Sequence, residues 1–199
     1  MEPTPPPTSA RDALLRAASE ELAEKGHASV SLRAVARRAN VSHAAPAHFF
    51  GDRAGMLTAV ATAGFDQLDA ALAAAAIREG DADESPLAAL GRAYVDFGLE
   101  HPALVDLMFR RSELNADDDA LIEAQRGALG RLRTAVGDVA DAHADEWSLL
   151  SWAVVHGLVS LVREGVLARI VEQDPDAAPA LARRLVEVYA AGVAPASRS

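Results

Sequence analysis

The residue types that most often carry chemistry are thinly spread through these 199 residues. There is no cysteine, which removes disulfides, thiolate metal sites and cysteine catalysis. The six histidines stand at 27, 43, 48, 101, 143 and 156, without the His-Glu-x-x-His or similar spacing that closes a metal site. No glycine-rich phosphate loop and no Gly-x-Ser-x-Gly nucleophile turn occurs. The run Asp117-Asp118-Asp119 lacks the alternating ligands of a calcium loop and reads as a helix start that complements the helix dipole. An enzyme is not expected, nor a metal ion or cofactor.

One segment does concentrate functional side chains. From Arg33 to Arg53 there are four arginines against Asp52 alone, with His43 and His48 between them. The whole chain carries −10, yet residues 1–55 balance at +1 and residues 56–199 at −11. A basic quarter on an acidic protein suits contact with phosphates through that quarter alone. Arg33 and Arg53 are suited to phosphate oxygens, as is Arg37 or Arg38. Ser31 and Ser42 are expected helix N-caps, the second leaving the following amides turned toward a phosphate. His43 can donate or accept at a base edge, and His48 can reach a phosphate. Ala44, Ala45 and Ala47 suit thymine methyl groups.

Two short helices joined by a tight turn would hold these groups. The stretch Ser31–Phe50 reads as a helix to about Ala39, a turn at Asn40-Val41, and a second helix from Ser42. Set at a steep angle, the second could enter a major groove while the first crosses the backbone. Ala36 is small where the two would cross. Leu32, Val35, Val41 and Phe50 supply a small core, and Pro46 is tolerable near a first turn.

The rest reads as helix as well, rich in Ala, Leu, Arg and Glu and without period-two alternation. Ser9-x-x-Asp12 opens a first helix with the stripe Leu14, Leu15, Ala18, Leu22, Ala23 and a stop at Gly26. Asp52 caps a long helix to about Arg78, and Glu79 to Glu84 resembles a linker. Further helices start at Ser85-Pro86, Pro102, Asp117–Asp119, Asp145, and Pro175 or Pro179. The expected fold is therefore all-α with about nine helices. A disordered tail at 1–8 precedes a three-helix helix-turn-helix domain at 9–55, with its motif at 31–50. A larger helical bundle covers 56–194, and the end from Pro195 to Ser199 should fray. The longest uncharged stretch, Trp147 to Val162, is too short for a bilayer, and the N-terminus lacks signal-peptide character, so a cytoplasmic protein without a membrane partner is expected.

The helix from Asp145 to Gly165 is apolar on nearly every face, with Trp147, Leu149, Leu150, Trp152, Val155, Leu158 and Val162 among others. Such a helix must be covered all round. Together with Leu181, Leu185, Val188 and Tyr189 it predicts a four-helix homodimer interface through residues near 145–165 and 179–192. Tyr94, Phe97, Leu104, Met108, Phe109 and Trp152 are candidates to line a pocket for a small molecule of unknown identity, with His156 as a polar contact. Aromatics at helical spacing also serve as plain core, so both readings stand.

Ser31-Leu32-Arg33-Ala34-Val35-Ala36 followed by Asn40-Val41-Ser42 resembles the TetR/AcrR family. There a Thr/Ser-Leu-Arg-x-Ile/Val-Ala helix precedes a Gly-Val-Ser turn and a recognition helix. Ala17-Ala18, Glu24-Lys25-Gly26, Arg53 and Leu57 match as well. Trp152-Ala-Val-Val-His156-Gly157 resembles the Trp…His-Gly signature of the WHG-type C-terminal domain, with Gly157 as a close-approach point between helices. The resemblance implies a ligand-responsive repressor that binds a palindromic double-stranded DNA operator as a homodimer. Three positions depart from the pattern. The tyrosine and histidine that usually hold phosphates are Ala47 and Phe49, and the turn glycine is Asn40. Weaker backbone anchoring would follow, and with it the alternative of a ligand-binding dimer with weak or lost specific DNA binding.

Overall fold

In a computed structural model the described residues are 9–77, 85–140, 143–170 and 177–193. The expected tails at 1–8 and 195–199, the linker at 79–84 and the helix start at Pro175 lie outside them. The helices are α1 (Ala10–Lys25), α2 (Leu32–Arg38), α3 (Ala45–Phe50), α4 (Arg53–Ile77), α5 (Pro86–Glu100), α6 (Pro102–Met108), α7 (Asp119–Ala140), α8 (Ala144–Arg163), α9 (Val166–Ile170) and α10 (Ala178–Val193). Single 3-10 turns stand at His27–Ser29 and Arg111–Glu113. No strand occurs among the described residues, and the fold is all-α.

Local chemistry explains most boundaries. The Ser9 hydroxyl oxygen accepts from the Asp12 amide at 3.1 Å and Ser31 does the same for Ala34 at 3.3 Å. Asp52 caps α4 by accepting from the Gly55 amide at 2.8 Å, and Asp118 caps α7 through the Leu121 amide. Asn40 sits at φ 54°, the left-handed turn that its type tolerates. Two expected caps are corrected. Ala45 donates to the Ser42 main-chain carbonyl in a tight turn, so α3 starts three residues later than Ser42 and without a side-chain cap. His143 rather than Asp145 precedes α8. Gly165, at φ 67°, breaks the chain between α8 and α9, a short helix that periodicity did not predict.

The chain forms two compact units. The first joins the residues up to Phe65 with His101–Ala124: α1 to α3, the first turns of α4, α6 and the start of α7. Leu14, Leu22, Val35, Met56, Leu57 and Leu107 are fully buried in it. Within it α6 approaches α4 at Gly64, where an added Cβ would lie 2.9 Å from Leu104 and Met108. By length and composition α4 could cross a membrane, but Met56, Leu57, Val60, Ala61 and Phe65 are buried in the protein, and Asp66 and Asp69 follow.

The second unit holds the rest of α4 and α7 with α5, α8, α9 and α10. Here α5 packs on α8 and α10, and glycine makes the approach close. A Cβ on Gly98 would stand 2.7 Å from Val159, and one on Gly91 would collide with Val186. The close approach expected at Gly157 is absent within the chain, since a Cβ there meets nothing within 4 Å. Asp96 and Arg183 close the α5–α10 pairing with an ion pair at 2.6 Å.

Candidate nucleic-acid interface

The first unit sets α3 against α2 and α1. In α3 the positions four apart, Pro46 and Phe50, turn inward, Pro46 buried and Phe50 half-buried. Pro46 sits at the start of the helix, where its missing N–H leaves no bond unmade. The Arg11 guanidinium lies over the Phe50 ring at 5.5 Å. The other residues of the segment are left to solvent: Ser42, His43, Ala44, Ala47, His48 and Phe49 are exposed and Ala45 is half-buried. Phe49 keeps 40% of its surface accessible and meets the His48 ring edge-on at 5.1 Å. Ser31, Arg33 and Arg37, on and before α2, are exposed as well.

The remaining arginines of the basic segment are paired within the first unit. Arg38 donates through Nε to Glu21 at 2.8 Å and through Nη1 to Glu24 at 2.7 Å, with a second bond from Nη2 to Glu24. Lys25 also reaches Glu21, at 2.7 Å. These bonds hold the Glu21 and Glu24 carboxyls below their ordinary range and raise Arg38 further above its own. Glu21 is only 3% exposed, so a charged group takes a core position of α1 and ties it to α2. The expected α1 stripe is corrected accordingly: Ala17 and Glu21 are buried, while Ala23 is exposed.

Arg53, expected at a phosphate, donates through Nε to the Val30 carbonyl at 3.0 Å and through Nη2 to that of His27 at 2.8 Å. Its Nη1 reaches Glu113 at 2.5 Å and holds that carboxyl low. Beside it, the Thr58 hydroxyl accepts from the Asn115 amide at 2.9 Å. Sequence reasoning missed Glu21, Glu24 and Glu113 as partners, because their arginines lie 14 to 60 residues away along the chain. The one local hint was the Glu20-Glu21…Glu24 spacing on one side of α1.

The pocket candidates divide between the units. Leu104, Met108 and Phe109 belong to the first, where Phe109 meets Phe65 edge-on at 5.5 Å. Tyr94, Phe97, Trp152 and His156 belong to the second. There Trp152 Nε1 donates to the Tyr94 hydroxyl at 3.3 Å, and that hydroxyl lies 2.9 Å from His156 Nδ1. Indole can only donate, so the phenol oxygen accepts from it, while the direction of the Tyr94–His156 bond follows the imidazole tautomer. Burial pushes the Tyr94 hydroxyl up to about 12, which keeps it neutral. Among the described residues no group of three acidic or histidine side chains is placed to hold a metal ion.

Comparison with known proteins agrees with this architecture. Residues 14–60 match the pattern described as bacterial regulatory proteins, tetR family, and residues 87–196 the tetracyclin repressor-like C-terminal domain. No curated protein matches the chain by sequence. Among solved structures it is similar to a protein of unknown function from Rhodococcus sp. RHA1. That pair has 30% identity and a TM-score of 0.79 over 94% of this chain and 96% of the other. It is also similar in fold to a TetR-family transcriptional regulator from Pectobacterium atrosepticum, at 23% identity and TM-score 0.70 over 94% and 95%. The regulator PfmR from Thermus thermophilus shares the fold at 18% identity and TM-score 0.64 over 91% and 95%. The C-terminal match alone spans more than half of the chain, and together with the exposed short helix α3 it shows that this protein belongs to the TetR family of bacterial transcriptional regulators.

Proposed function

We propose that this chain is a ligand-responsive repressor that binds a palindromic operator as a homodimer, with residues 9–55 as its DNA-binding head and the cytoplasm as its place of action. The observation that carries the reading is the exposed surface of α3, its preceding turn, and Arg33 and Arg37 beside it on an otherwise acidic protein. Ser31, Arg33 and Arg37 take phosphates, Ser42 and His48 support them, and His43, Ala44, Ala45 and Ala47 face the bases. Arg53 becomes a positioning residue, since its bonds fix the start of α4 to the turn before α2. Self-association would use Leu149 and Leu150 on α8 with Leu185 and Val188 on α10, which are 54%, 53%, 36% and 69% exposed. Tyr94, Phe97, Trp152 and His156, all of the second unit, are the groups we assign to the effector. Effector binding would shift operator affinity by about 1–3 kcal/mol of coupling.

A mobility-shift titration with the DNA upstream of the protein's own gene, at two salt concentrations, tests the reading. Salt-sensitive binding of a dimer to one site supports it. Binding to every duplex alike would favour the second reading, a dimer of this fold that has lost specific DNA recognition. Ala47 and Phe49, and the internal commitments of Arg38 and Arg53, speak for that one.

A further inference from the structure

We infer that the recognition segment reads its half-site chiefly through thymine C5-methyl groups, with Phe49 as a specificity-determining residue. The inference rests on the DNA-binding reading above. Residues 41–51 contain no Arg, Lys, Asn, Gln, Asp or Glu. The side-chain pairs that read guanine or adenine with two hydrogen bonds, or accept from cytosine N4, therefore cannot arise in this segment. Ser42, His43 and His48 are its hydrogen-bonding side chains, each limited to single bonds.

Apolar surface is what remains. Phe50 is half-buried under Arg11 and Pro46 is buried, while the neighbouring Phe49 leaves 40% of a large ring in water, beside exposed Ala47 and Ala44. Contact of the Phe49 ring with the His48 ring at 5.1 Å limits its freedom, so less order must be imposed on binding. The exposed guanidinium groups of Arg33 and Arg37 supply the charge complementarity that makes a polyanion the occupant. In the major groove the apolar feature offered by a base pair is the thymine methyl group.

The test uses duplexes selected from a random pool by the full-length chain. Thymines of the selected half-site are then replaced singly by deoxyuridine, which keeps every hydrogen-bonding group and removes one methyl. Loss of affinity of about fourfold for each contacted methyl in each half-site is expected. Phe49→Ala should lose the discrimination between thymine and deoxyuridine at the position its ring covers, and Phe49→Tyr should keep it. Because Phe49 is exposed, the Ala variant is expected to melt like the parent, which a thermal scan checks. Equal affinity of the parent for both duplexes, or full discrimination retained by Phe49→Ala, overturns the inference while leaving DNA binding intact. Selection of no duplex at any salt concentration overturns the DNA-binding reading and this inference with it.

Discussion

Arg53 donates to two backbone carbonyls and one carboxylate, tying the turn before α2 and Glu113 to the start of α4. Arg33 has a similar side chain at an exposed position on α2. The two therefore separate the effects of position and of charge. Arg53→Ala removes the two carbonyl bonds and should destabilise the protein by about 1–2 kcal/mol. The salt dependence of operator binding, measured on the folded variant, should stay as it was. Arg33→Ala should leave the melting temperature unchanged but make the plot of log affinity against log salt shallower by about 1.8 for a dimer, one phosphate per head. Denaturant titrations and binding at four salt concentrations read both. A shallower slope for Arg53→Ala would restore it to the phosphate-binding set.

The elements were legible where a boundary depends on adjacent residues. Ser9, Ser31, Asn40, Asp52 and Asp118 act on amides or turns within a few positions, and sequence spacing found each of them. The pairing of α2 with α3 and the exposure of residues 42–44, 47 and 48 were legible for the same reason. What stayed hidden depends on distant partners: the burial of Glu21 needs Arg38 seventeen residues on, and Arg53 needs Glu113 sixty residues on. The α1–α2 tie has a consequence in acid. Glu21 and Glu24 titrate below their ordinary range when folded, so unfolding takes up protons as the pH falls. Their contribution is complete above the unfolded glutamate value of about 4.3 and is lost as pH drops through the folded values. Urea denaturation from neutral pH to about pH 3 should show this loss, and Glu21→Gln should flatten it. An unchanged profile in that variant would exclude Glu21 as its source. Glycine at the α5–α8 crossing gives an independent check. Gly98→Ala forces a methyl against Val159 and should destabilise by about 1–3 kcal/mol.

For the molecule as a whole, the arrangement of apolar surface is the strongest pointer to a second copy. The inner face of α8 buries Ser148, Ser151, Val155, Leu158 and Val159, and that of α10 buries Ala178, Ala182, Val186 and Ala190. Their outer positions carry leucines and a valine in solvent. Leu149, Leu150, Leu185 and Val188 thus leave apolar side chains in water on two helices that pack on each other, a surface suited to burial against a second copy. Gly157 fits the same reading, because its Cβ position is open within one chain and a backbone from another could approach there. Gly157→Ala should then weaken dimerisation, although in a lone chain the same change would stabilise the helix by about 1 kcal/mol. The double variant Leu149→Arg/Val188→Glu should sediment as a monomer at micromolar concentration and still melt cooperatively, because neither side chain supports the inner core. Each head would then meet one half-site alone. The loss of effective concentration should lower operator affinity by a factor of about 100 or more, while affinity for an isolated half-site stays unchanged. A variant that remains dimeric would place the interface on other faces, and a parent protein that is monomeric at these concentrations would remove the basis for a palindromic operator.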